Sequence, residues 1–344
     1  MAANKREFVL QCPAPIESKG RITMAHGGGG RLSQRLVDEV FGPLFANPML
    51  DARHDGAVFP VDAGEMAFST DSYVVRPLFF PGGNIGDLAV NGTINDLAMC
   101  GAEPLYLSCG FILEEGLEIA TLRTIAQSMQ AAAARVGVRI VTGDTKVVDR
   151  GMADGLYINS AGIGRVCHPV SAGRIQAGDA ILVSGDLGAH GISILSTREG
   201  LEFETPLESD TAPLWGQVAT LLRAGIDIHC MRDLTRGGLT SALNELSQAR
   251  RLAMRIEEAR IPVRDAVRGA CELLGLDPLY VANEGRFAAF VPAWQVDMAL
   301  SLLPGASLVG TVLAEKSATV YVRSVSGGER ILQMISGEQL PRIC

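Results

Sequence analysis

The chain is predicted to be α+β with two domains, on three observations. Its 344 residues exceed one ordinary small domain, at roughly 150 residues per domain. Strand-like and helix-like stretches are mixed without the regular alternation of a doubly wound sheet. The pattern also breaks near residues 170–178, after which a new strand opens. This divides the chain into an extension over 1–20, a first domain over 21–168, a second over 169–326, and a mobile tail over 327–344.

Taking the elements in order, "RLSQRLVDEVFGPLF" spaces Leu32, Leu36, Val37, Val40 and Phe41 as a helix does. "GEMAFSTDSYVV" alternates as a strand. "NIGDLAVNGTINDLAMCGA" reads as a helix with Leu88, Ala89, Ile94, Leu97 and Ala98 on its apolar side. "EPLYLSCGFIL" is a strand, "EIATLRTIAQSMQAAAARVG" an amphipathic helix, and "VRIVTGDTKVV" and "GLYINSAGIGRV" are strands. The second unit opens with strand, glycine loop and helix in "GDAILVSGDLGAHGISIL". Helices then follow in "LTSALNELSQAR", "VRDAVRGACELLG" and "WQVDMALSLL", and strands in "LAMRIEEAR", "RFAAFVP" and "ASLVGTVL".

Hydrophobic residues make up 47% and charged residues 20%, so a sizeable core is expected. The net charge of -8, with no run of Lys and Arg, argues against nucleic-acid binding. No stretch is long and apolar enough for a secretory signal or a membrane span, so a cytoplasmic protein without membrane contact is expected. Seven scattered cysteines form neither a disulfide framework nor CxxC zinc spacing.

The aspartates are the most informative feature. Asp71 in "AFSTDSY" and Asp144 in "RIVTGDTK" are read as ending strands. Asp96 follows Asn95 in "GTINDLA", and Asp55 sits in "RHDGAVF". Loops at element ends are where a rigid scaffold presents functional side chains. Carboxylates gathered at one edge repel, and magnesium held by carboxylates plus nucleotide phosphates relieves that. Taken singly, each acid is equally a turn or cap residue.

"AHGGGGRLSQ" sets Gly27, Gly28, Gly29 and Gly30 before a helix, next to His26. Without Cβ atoms, such a loop lets backbone N–H groups close on an anion, although it is neither a Walker A loop nor GxGxxG and a linker remains the alternative. Lys146 lies two residues after Asp144, on the same face of an extended segment, with Thr145 between them. That suits a phosphate contact or a plain surface ion pair. "MRDLTRGGL" places Asp233 ahead of a Gly-Gly pair and a helix, as phosphate site or N-cap. In "YVANEGRFAAF", Glu284 is a candidate general base or an ordinary turn acid. The sequence closes on "EQLPRIC", so that Cys344 reads either as chance or as a carried nucleophile.

Together, "AHGGGG", the long block from "AFSTDSYVV" to "FILEEGL", "TGDTKVV", "RDLTRGGL", "VANEG" and "PRIC" resemble the HypE family of hydrogenase maturation factors, from about residue 22 to 344. Asp87 stands where that family more often has a basic residue, and it is left out of the metal set. The resemblance implies a two-domain PurM-like fold, shared with aminoimidazole ribonucleotide synthetase and selenophosphate synthetase. It implies a homodimer whose N-terminal sheets meet in a barrel-like interface, a second α/β sandwich domain and a flexible tail. It also implies an ATP-dependent carbamoyl dehydratase. Cys344 would take a carbamoyl group from the carbamoyltransferase HypF, and its S-cyano product would pass to iron on the HypC–HypD complex for [NiFe] hydrogenase.

On that reading Asp71, Asp96, Asp144 and Asp55 hold Mg2+ on the phosphates of ATP. The four glycines, Asn95, Thr145 and Asp233 bind the nucleotide. Lys146 balances charge, with Glu284 as base and His26 in reserve. The rivals are another synthetase of the superfamily, of selenophosphate type, and a non-catalytic nucleotide-binding scaffold. The first wants a reactive N-terminal cysteine beside a lysine, a neighbour that Cys12 in "LQCPAP" lacks. The metal-type acids weigh against the second.

Overall fold

The computed structural model of the chain describes residues 20–23, 26, 31–48, 64–200 and 207–334. Helix α1 (Arg31–Leu36) runs through a π turn (Val37–Phe41) into the short α2 (Gly42–Phe45); Leu36, Val40 and Phe41 are buried as their spacing predicts, but Val37, at the start of the π turn, is 46% exposed. β1 (Met66–Tyr73) follows, then a small hairpin of β2 (Phe79–Phe80) and β3 (Gly83–Asn84). Next come α3 (Ile85–Met99), β4 (Ala102–Glu114), α4 (Ile119–Arg135), β5 (Arg139–Val148) and β6 (Leu156–Val166).

The first sheet has the order β1-β6-β4-β5, antiparallel except for β4 and β5, which α4 connects in parallel. One face packs on α3 and α4, burying Leu107, Phe111 and Ile158 against Leu88, Ile94, Ile125 and Met129. The other face is open, with Phe68 70% and Ile112 42% exposed.

Helix α3 begins on a capping box. Asn84 Oδ1 accepts from Gly86 N at 2.8 Å, and Asp87 Oδ2 accepts from Asn84 N at 3.2 Å. Asp87 is therefore a helix-start residue, and it also pairs with Arg135 at 3.4 Å. All five apolar positions expected on α3 are fully buried, and so are Gly92 and Thr93, against Tyr73 of β1 and Ser160 of β6, and Asn91 and Asn95, which the second domain covers through Thr211, Ala212 and Leu214. Gly92 is needed here: a Cβ would lie 2.1 Å from the Tyr73 hydroxyl.

The second domain runs through β7 (Ala180–Val183), α5 (Ala189–Glu199), α6 (Trp215–Arg223), β8 (Cys230–Asp233), α7 (Gly238–Arg250), β9 (Met254–Glu257) and α8 (Asp265–Leu274). It continues with β10 (Phe287–Val291), α9 (Val296–Leu302), β11 (Ser307–Val312), β12 (Val320–Arg323) and β13 (Glu329–Ile331). These build a seven-stranded sheet in the order β13-β12-β9-β11-β7-β10-β8. Alternation along β7 sends Ile181 and Val183 to the α7 side, and Ala180 and Leu182 to the side of α6 and α9. Both faces are covered along β7 and β10, and these two strands are apolar throughout.

Several elements depart from expectation. α6, β8 and the β2–β3 hairpin were not anticipated. Residues 327–334, read as the start of a tail, hold the paired strand β13, and Leu332 beyond it is fully buried in the core. Leucine at 332 has apolar surface to bury, and the open edge of β12 supplies the hydrogen bonds.

Candidate functional site

A cleft of about 490 Å³ opens where β1 and α3 of the first domain meet β8 and α7 of the second. Asp71 reaches it from β1 and Asp96 from the last turn of α3. Asp233 is the final residue of β8, and Glu284 lies in the loop before β10. Arg232 and Arg236 also line it. Four carboxylates from four separate elements therefore face one space, and a fifth, Glu245 of α7, lines it paired with Arg232.

The support beneath them is specific. Ser69 Oγ donates to Asp96 Oδ2 at 2.5 Å. Asn95, one residue earlier and buried, spans the domains: Nδ2 donates to Ala212 O at 3.1 Å and Glu284 O at 3.2 Å, while Oδ1 accepts from Leu214 N at 2.8 Å. Glu284 N donates to Asp210 Oδ1 at 3.0 Å. Gly237 and Gly238, with φ of 76° and 57°, turn the chain from β8 into α7, so that the α7 N-terminus faces the cleft.

Electrostatics follow from the crowding. Burial, then Asp233, Asp210, Asp71 and Asp96, push the Glu284 carboxyl well above the usual carboxylate range. Its Oε1 is buried without a hydrogen-bond partner among the described residues. Burial, then the neighbouring Asp96, raise Asp233 to about 7. Burial also raises Asp96, against the opposing Ser69 hydrogen bond. The cleft thus has a deficit of positive charge. Among the described residues no three His, Cys, Asp or Glu side chains already stand as a metal cage. Hard carboxylate oxygens with room for further oxygen ligands are what magnesium uses when phosphates complete its shell. The donor set fits a nucleotide with its cation.

The sequence-expected residues distribute unevenly. Asp71, Asp96, Asp233 and Glu284 converge. Asn95 is at the site as a strut, with its polar atoms engaged by protein. Asp144, Thr145 and Lys146 lie elsewhere, on the edge strand β5. Asp144 was expected to end its strand, but β5 continues to Val148 because Val147 and Val148 keep pairing with β4. The register runs Ser72, Asn159, Gly110, Asp144 across four strands, roughly 14 Å at the usual spacing. Asp144 and Lys146 pair at 2.9 Å in solvent, and that hydrogen bond lowers the Asp144 pKa. Likewise β1 continues two residues past Asp71. His26 is buried, with Nδ1 3.0 Å from Thr23 Oγ1. Cys12, Gly27, Gly28, Gly29, Gly30, Asp55 and Cys344 lie outside the described residues.

Arg232, Arg236 and Asp210 were missed. The two arginines flank Asp233 in the quoted "MRDLTRGGL", and cations beside a suspected phosphate acid were the available signal. Asp210 falls in a stretch with no periodicity to mark it.

The family described as AIR synthase related protein, N-terminal domain, matches residues 53–166, and its C-terminal domain counterpart matches 176–323. The carbamoyl dehydratase HypE of Azotobacter vinelandii is 49% identical over 334 residues, covering 94% of this chain and 98% of that protein. A solved hydrogenase maturation protein HypE in complex with ATP superposes with a TM-score of 0.90 at 46% identity, covering 93% of this chain and 99% of its own. HypE from a solved HypE–HypF complex gives 0.76 at 40% identity, covering 87% and 99%.

Proposed function

The chain belongs to the HypE carbamoyl dehydratase family, and from that premise we propose that it converts an S-carbamoyl group on its own Cys344 to S-cyanocysteine, driven by ATP. The observation that carries this reading is the convergence of Asp71, Asp96, Asp233 and Glu284 on one cleft, with Glu284 Oε1 buried and, among the described residues, unpartnered. Similarity to a HypE solved with ATP supports the nucleotide.

The chemistry asks for a better leaving group. The carbamoyl oxygen attacks the γ-phosphorus of ATP and ADP departs. The nitrogen gives up its two protons, the C–O bond breaks, phosphate leaves, and S–C≡N remains. Bound Mg2+ would neutralise charge on the phosphates. Asp71, Asp96 and Asp233 are the residues to hold it, with Asp55 from outside the described residues. Gly27, Gly28, Gly29 and Gly30 are assigned to the phosphates beside the α7 N-terminus. Glu284, ionised once a cation enters, is the base that takes an N–H proton, and His26 is the reserve.

Asp144, Thr145 and Lys146 are too far along the sheet to act in their own cleft. We assign them to the cleft of a second copy, in a homodimer formed through the open face that carries Phe68 and Ile112. Similarity to the HypE of a HypE–HypF complex supports HypF as the source of the carbamoyl group. The product is assigned to iron on a HypC–HypD complex during [NiFe] hydrogenase assembly.

Intact-mass spectrometry tests the reading. With HypF, carbamoyl phosphate and ATP, the chain gains a carbamoyl mass, which ATP turnover by the chain itself converts to a cyano mass. A Cys344→Ala variant that still acquired both masses would contradict it.

A further inference from the structure

The described chain ends at a fixed point. Leu332 is fully buried among Leu239, Leu243 and Leu246 of α7 and Val320 and Val322 of β12. Its carbonyl accepts from Asn244 Nδ2 at 3.0 Å, and the carbonyl of Gln333 accepts from Tyr280 Oη at 2.8 Å. Just before it, β13 pairs with β12, and Arg330 pairs with Asp277 at 3.0 Å. Two side chains from different elements thus grip consecutive carbonyls where no regular element requires it.

The position of this grip matters. Helix α7 lies across the sheet from the cleft, at its N-terminal end, to β12. Ser241 and Glu245 line the cleft, and Asn244 lies between them in sequence but about a third of a turn round the helix. From Leu332 the path to the cleft is therefore once round the flank of a helix some 10–12 Å wide, plus the depth of the cleft. Ten residues separate Met334 from Cys344, enough for roughly 33 Å when extended.

We propose that Leu332, Asn244 and Tyr280 form a fixed root for the segment that carries Cys344, and that this root sets the segment's reach into the cleft. These are positioning residues, and the proposal rests on Cys344 being the group that reacts. A root beside the cleft keeps the tether short, so the tethered group stays concentrated at the site. If the root lets go, the chain peels back to the turn at Ser324–Gly328, and the tether of 12 residues from Leu332 becomes one of 16 to 20. Effective concentration falls roughly as the −3/2 power of tether length, which gives about a one-and-a-half- to twofold loss.

The test is a length-and-root cycle in the full chain. Cysteines are S-carbamoylated with cyanate, ATP and Mg2+ are added, and single-turnover conversion of the C-terminal peptide to its cyano form is followed by mass spectrometry. Leu332→Asp should slow conversion about one-and-a-half- to twofold, and Tyr280→Phe less so. Deleting residues 335–340 leaves about 20 Å of reach from Leu332 and should nearly abolish conversion. Adding Leu332→Asp to that deletion should restore it, because the freed strand supplies the missing length. In parallel, each root substitution is placed in a Cys344→Ala chain and tested on a synthetic S-carbamoyl peptide of residues 335–344, where the rate should match Cys344→Ala alone.

Rescue of the short tail with an unchanged rate on the free peptide supports the root. No rescue, equal losses on tethered and free substrate, or no effect of Leu332→Asp at full length each overturns it. If the unmodified chain converts no carbamoyl group at all, the Cys344 reading itself fails, and the root goes with it.

Discussion

Ser69 Oγ on β1 donates to Asp96 Oδ2 on α3 across 2.5 Å, locking the first sheet to the helix that carries the cleft. The bond opposes the effect of burial, which pushes the Asp96 pKa up. Ser69→Ala leaves a half-buried carboxylate short of a donor. The expected loss is about 1–2 kcal/mol of stability at neutral pH, read from the denaturant midpoint with an unchanged slope. Binding of Mg2+–ATP should weaken as well, because Asp96 becomes harder to ionise.

Asp87 was set apart from the metal ligands, and the capping box explains its presence. Asp87→Ala removes the acceptor for Asn84 N and should cost about 1 kcal/mol. Its pair with Arg135 adds little, since the arginine is exposed. ATP affinity, measured by calorimetry, should stay the same. A large fall in affinity would place Asp87 in the site after all.

Those two neighbours show what a sequence makes visible. The apolar register of α3 is local, so Leu88, Ala89, Ile94, Leu97 and Ala98 could be read directly. Its burial on the polar side was not legible, because the second domain covers it from over a hundred residues away. β8 escaped notice because four residues ending in Arg232 and Asp233 carry too little periodicity. The acids were found one at a time from their places near element ends. That Asp71, Asp96, Asp233 and Glu284 meet, while Asp144 does not, depends on sheet order, which no local pattern encodes. The Asp144–Lys146 contact was readable from strand alternation alone, since it is i, i+2.

The crowded carboxylates give a pH signature in the metal-free protein. A raised pKa on Asp233 or Glu284 means that the folded chain holds a proton the unfolded chain has already released. Between about pH 4 and about pH 7, folding therefore takes up protons, and these groups make stability fall as pH rises. For Asp233, raised from 3.8 to about 7, the effect is at most about 4 kcal/mol. Thermal melts without divalent ions should show Asp233→Asn flattening this slope. Added Mg2+ should raise the melting temperature more at pH 8 than at pH 5. Equal shifts at both pH values would mean that the cation does not bind these carboxylates.

Glu284 and Lys146 should act from opposite chains of the homodimer. Glu284→Gln and Lys146→Ala should each keep the carbamoyl group and fail to dehydrate it. When the two variants are mixed and allowed to exchange subunits, half of the dimers are heterodimers. In each, one cleft combines an intact Glu284 from one chain with an intact Lys146 from the other. The mixture should then recover about a quarter of wild-type turnover, while each variant alone stays inactive. Phe68→Asp, which puts a charge on the open face, should abolish that recovery by blocking dimer formation, seen as a halved mass in light scattering. If the mixture remains inactive although mass spectrometry shows heterodimers, Lys146 does not serve a neighbouring cleft, and β5 has no part in the reaction.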